Sequence, residues 1–187
     1  MPNVKYSDTR GLYQEAGTGL DIDGELRGAR RKVLRASNFT SNAYTLTGGD
    51  SGCVVLLDED VATTITMPKV TSSMIGCTYL IIETVASDAD RTINTAYNND
   101  YWVGGVANLP TAAENGAKVF VAAGSTDTQI TFDDNLANGA GALGAWVRLT
   151  AVLTGNIQAG GGAKLVWLVE GVMGTADANG DGTAIFT

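Results

Sequence analysis

From Ala36 onward, short runs rich in Val, Ile, Thr and aromatic residues are broken by Gly, Asn, Asp and Ser about every dozen positions. β-Branched and aromatic side chains fit a pleated, half-buried surface, and turn formers end each run. This punctuation predicts an all-β body, a β-sandwich or jelly roll, and leaves no room for a helix of ten residues. Strands are expected over Ala43–Thr47, Cys53–Leu57, Ala62–Met67, Thr78–Val85, Thr92–Thr95, Tyr101–Val106, Lys118–Ala122, Gln129–Phe132, Trp146–Thr154, Ala163–Val172 and Thr183–Phe186. Alternation supports several of them: Ile130 and Phe132 share one face, as do Val147, Leu149, Ala151 and Leu153. Tyr79-Leu80-Ile81-Ile82 and Leu165–Val169 are apolar on both faces, the pattern of central strands.

The chain has 187 residues, of which 44% are hydrophobic, enough for one domain with a core that needs no disulfide or metal. Only 17% are charged, while Gly occurs 24 times and Thr 22 times. There is no His, which excludes Ser-His-Asp and Cys-His catalysis, His general bases and His-containing zinc sites. The two Cys residues, Cys53 and Cys77, are too few for a Cys₄ site and read as buried thiols in strands. The apolar runs are too short to cross a bilayer as helices, and the first residues lack a signal-peptide core. Synthesis in a reducing cytoplasm is expected.

Charge divides the chain. Residues 1–35 hold 7 basic and 5 acidic residues, whereas 36–187 hold 5 basic and 15 acidic. Arg27, Arg30, Arg31, Lys32 and Arg35 form a cluster free of acids, in a Gly-rich stretch without sustained periodicity. Residues 1–35 therefore read as an extended N-terminal arm, and 36–187 as the β-sandwich (jelly-roll) body. Asp23 to Arg35 is a candidate short helix, weakened by Gly28. Nucleic-acid contact is disfavoured because the acidic body would repel a polyanion. Docking of the arm onto a neighbouring acidic subunit is the expectation, with Tyr6, Leu12, Tyr13, Leu20, Ile22 and Leu26 as apolar anchors and the basic cluster as charged contacts.

Other motifs lose to plainer readings. Gly139-Ala-Gly141-Ala-Leu-Gly144 matches a dinucleotide fingerprint, but a strand follows it and residues 157–169 contain no acid. Asp177-Ala-Asn179-Gly-Asp181-Gly182 opens like a calcium loop, but its closing Glu and flanking helices are missing, so it reads as an Asx-rich turn. Tyr97-Asn98-Asn99-Asp100-Tyr101-Trp102 has the make-up of a sugar-binding loop; a hairpin turn with core aromatics is preferred, and Trp146 and Trp167 also read as core. Asp133-Asp134 and Asp58–Asp60 read as solvated turn acids. No cofactor, metal or catalytic group is expected.

Leu46-Thr47-Gly48-Gly49-Asp50-Ser51-Gly52, the apolar strand that follows, Thr64-Ile65-Thr66-Met67-Pro68 and Gly76-Cys77-Thr78-Tyr79 resemble tailed-bacteriophage virion proteins. Trp167-Leu168-Val169-Glu170-Gly171 is similar more weakly. The resemblance covers residues 46–85 and 163–172 and leaves the arm outside. Together with the size, it implies a non-enzymatic head decoration (cement) protein on the outer surface of the phage head. Such a protein binds the major capsid protein, bridges neighbouring capsid subunits and is a homotrimer or other closed oligomer. The alternative is a carbohydrate- or receptor-binding module of a phage tail or fibre.

Overall fold

The computed structural model describes residues 4–7, 11–14, 31–85, 89–96, 100–110, 118–122, 127–132, 143–156, 163–175 and 186. The chain divides into two compact units, residues 1–30 and 31–187. In the first, β1 (Val4–Ser7) pairs antiparallel with β2 (Gly11–Gln14), placing Tyr6 opposite Leu12 and Lys5 opposite Tyr13. Four residues a strand is too short for alternation to stand out in a sequence.

Among the described residues, the second unit carries eleven strands: β3 (Val33–Arg35), β4 (Ala43–Thr45), β5 (Val54–Leu57), β6 (Thr63–Thr66), β7 (Thr78–Glu83), β8 (Arg91–Asn94), β9 (Trp102–Pro110), β10 (Lys118–Val121), β11 (Gln129–Phe132), β12 (Trp146–Asn156) and β13 (Ala163–Thr175). They form a seven-stranded sheet, β10-β9-β13-β12-β7-β5-β3, and a four-stranded sheet, β11-β8-β6-β4. The all-β expectation holds. Among the described residues, only single turns of 3₁₀ helix interrupt the strands.

From β3 to β8 the chain alternates between the two sheets. Thus β3, β5 and β7 are parallel neighbours in one, and β4, β6 and β8 in the other. This flat coil is a different connectivity from the antiparallel Greek keys of a jelly roll. The turns explain it: Gly48–Asp50 and Ser72–Met74 carry the chain into the other sheet instead of folding it back beside the strand just left. Antiparallel pairing appears with β11 on β8, β10 on β9, and β12 between β7 and β13.

Both sheets bury side chains in one core. The larger contributes Val55, Leu57, Ile81, Val147, Leu149 and Val169; the smaller contributes Ile65, Ile93, Ile130 and Phe132. Tyr79 and Trp167 meet edge to face at 5.6 Å, near the middle of the larger sheet. Gly104 has φ +109°, and a Cβ there would overlap the carbonyl oxygen of Val169, so β9 approaches β13 only because this residue is Gly. Phe186 bridges Ile130 at the edge of the smaller sheet, while 183–185 lie outside the described residues.

Two readings of the N-terminal region change. Val33–Arg35 is a strand beside β5, so the candidate helix does not reach Arg35; residues 23–30 lie outside the described residues. Packing also puts the unit boundary at 30/31 instead of 35, because Leu34 packs against the core. With that boundary, residues 1–30 hold four basic and five acidic residues, and 31–187 hold eight and fifteen. The opposition of a basic arm to an acidic body disappears. Both units are acidic.

Candidate interaction surface

The charged groups that the fold gathers inside act as braces. Thr47 and Asp50 form a capping box on the turn preceding β5: the Thr47 amide and hydroxyl both donate to Asp50 Oδ2, at 2.9 and 2.8 Å. Lys32 Nζ adds a 2.5 Å bond to Asp50 Oδ1. Burial pushes Asp50 up, but the bonds from Lys32 and Thr47 outweigh it and hold the carboxyl below its usual value. Arg35 similarly donates to Asp58 at 3.0 Å, beside two bonds from Ser37. The Asp50-Ser51-Gly52 turn is thus locked in place, with Gly52 at φ +82°.

Glu83 on β7 and Arg91 on β8 join the two sheets through a fully buried ion pair of 2.5 Å. Arg91 Nη1 also donates to the Val85 carbonyl and Nη2 to that of Glu59, while Glu83 Oε2 has no partner. Burial pushes the Glu83 carboxyl up to about 7, against the hydrogen bond and charge of Arg91, which pull it down. A carboxyl near neutrality is catalytically useful only where substrate reaches it. This one is sealed between sheets, and its position fits a clamp.

The outward face of the seven-stranded sheet is the surface that stands out. Directly paired residues share a face, so the registers define rows across the sheet. One row runs Val33, Val54, Leu80, Arg148, Glu170, Gly105, Val121. The next runs Arg35, Leu56, Ile82, Trp146, Val172, Ala107, Val119. On the other side lie Thr78, Thr150, Leu168 and Val103. Val33, Leu168, Val119 and Val121 are 51, 38, 66 and 72% exposed, and the central Val54, Leu56, Leu80 and Ile82 are only half-buried. Within these three rows the mid-sheet charges are Arg148 and Glu170, which pair at 2.9 Å, and Arg148 also lies over the Trp146 ring at 5.8 Å. Soluble surfaces rarely present so continuous an apolar sheet face without a partner.

The expected arm residues are divided by this arrangement. Tyr6 lies on β1 and Tyr13 on β2, while Leu20, Ile22, Arg27 and Arg30 lie outside the described residues. Arg31 is exposed at the start of the body unit. Lys32 and Arg35 meet acids of their own unit. Trp146 is not a core residue as expected: it lies half-buried on the outward face beneath Arg148. Trp102 and Trp167 are buried, and Asp100 is buried and accepts the Val70 amide, which gives a sugar-binding platform no support there. Asp133, Asp134, Asp177, Asn179 and Asp181 lie outside the described residues. Cys53, buried, and Cys77, half-buried, are both free thiols, and burial pushes Cys53 up to about 11.

Among the described residues no group of three or more metal-ligating side chains comes together, and no helix is long and apolar enough to cross a membrane. No family model, curated protein or solved structure matches this chain.

Proposed function

We propose that this protein is a non-enzymatic structural subunit of a tailed-phage virion that decorates and cements the capsid shell by bridging neighbouring capsid subunits. The observation that carries the reading is the outward face of the seven-stranded sheet, apolar over most of three rows in a single chain. Such a face costs solubility unless the protein works in an assembly. The phage-like stretch supports the same reading, because it forms the locked Asp50 turn and supplies β5 and the start of β7 to that sheet, with β6 in the smaller one. The body stands in for the jelly-roll module of such proteins, with a parallel coil where the Greek keys would be. Partners are the major capsid protein and further copies of this chain.

Particles lacking the protein test this reading. Their shells should release DNA at a lower temperature than complete shells, and added purified protein should restore the difference. Equal release temperatures would overturn the cementing role.

A further inference from the structure

The outward sheet face has a charge and size pattern that matches itself. Consider a two-fold axis lying along the strands between β12 and β13, in the plane of contact. It brings β12 of one copy over β13 of the other, β7 over β9, and β5 over β10, following the order β10-β9-β13-β12-β7-β5-β3. Each Arg148 then faces the other copy's Glu170, so the mid-sheet charges become a four-membered alternating cluster. Leu80 lies over Gly105, Ile82 over Ala107, Trp146 over Val172, and Leu56 over Val119. Large residues on one side of the axis meet small ones on the other, as interdigitated sheet packing requires.

We infer that the outward face of the seven-stranded sheet pairs with the same face of a second copy, forming an isologous dimer around Arg148 and Glu170. Charge selects this occupant. The unit carries eight basic and fifteen acidic residues, so copies repel one another generally, while this face holds a balanced pair at its centre. Area permits it too. About this axis six strands overlap, β3 having no counterpart; at about 4.8 Å apart, with three rows about 7 Å apart, they give roughly 600 Å² of sheet per copy. Two copies together pass the threshold of about 1,000 Å² for a specific contact. The symmetry is two-fold, in place of the three-fold that the virion resemblance implies. The inference rests on reading this face as an assembly surface, but not on the particle being a phage.

Analytical ultracentrifugation of the full chain tests it. The wild type should sediment at twice the 19.3 kDa chain mass. Arg148→Glu sets like charges against each other and should weaken the dimer by at least about 100-fold, as should Glu170→Arg. The double swap Arg148→Glu/Glu170→Arg regenerates the alternating cluster and should return the dimer. Leu168→Lys should give a monomer with an unchanged far-ultraviolet dichroism spectrum. A wild-type monomer at about 100 μM, a trimer, or a dimer indifferent to these changes would overturn the inference. So would a double swap no better than either single reversal. A dimer found for a protein absent from virions would refute the cementing role and leave this pairing intact.

Discussion

Replacing Arg91 by Met strands Glu83 between the two sheets and leaves the carbonyls of Val85 and Glu59 without their donor. The cost has two parts. One is independent of pH: two orphaned carbonyls and lost packing, together about 2–4 kcal/mol. The other depends on pH through Glu83, whose ordinary value is 4.5 and whose folded value is about 7. Since folding raises this pKa, the native state holds a proton that the unfolded chain releases, and wild-type stability falls as pH rises from 4.5 through 7. Holding the ionised form costs the wild type on the order of 3 kcal/mol above pH 7. Without Arg91 the carboxyl stays protonated to higher pH, and that cost reaches about 5 kcal/mol at pH 8 but stays under about 1 at pH 5. Arg91→Met should therefore cost about 3–5 kcal/mol at pH 8 and roughly 1–2 kcal/mol less at pH 5. Urea unfolding at both pH values, read as midpoint and slope, measures this. Adding Glu83→Leu should abolish the pH-dependent part. An Arg91→Met loss that is the same at both pH values would refute the clamp reasoning.

Gly104→Ala should destabilise by about 2–4 kcal/mol in thermal unfolding, from positive-φ strain and overlap with the Val169 carbonyl. Deleting residues 1–30 should leave the body folded; deleting 1–35 should cost a further 2 kcal/mol or about that, since it removes Leu34 and the Lys32–Asp50 bond, as denaturant titration would read. A thiol reagent at pH 8 should modify half-buried Cys77 well before Cys53, which is buried and pushed up to about 11, and Cys53 should follow only on unfolding.

Most of the strands were legible in the sequence because β-branched runs and turn clusters are local signals. Gln129–Phe132 falls where alternation places it, and Trp146–Asn156 overruns its expected end by two residues. What the sequence hid is non-local. Whether Asp50-Ser51-Gly52 folds the chain back or carries it into the other sheet depends on what the next strand pairs with, and that choice separates a parallel coil from Greek keys. Val33–Arg35 is too short for a period and stands out only through its pairing with β5. The interaction surface did leave a trace. Leu80 and Ile82 are apolar opposite the buried Tyr79 and Ile81, a pattern that two-sided burial and one open apolar face produce alike. Register decides between them, and it also moves Trp146 from the core to that face. Charge misled at the N-terminus because three of the five clustered basic residues, Arg31, Lys32 and Arg35, belong to the body.

Copy number in purified particles tests the virion role most directly. Quantitative mass spectrometry of phage particles whose genome encodes this chain should find it in a fixed ratio to the major capsid protein, at the many copies a shell lattice requires. A handful of copies, as a tail or fibre would carry, or none at all, would contradict a role in cementing the shell.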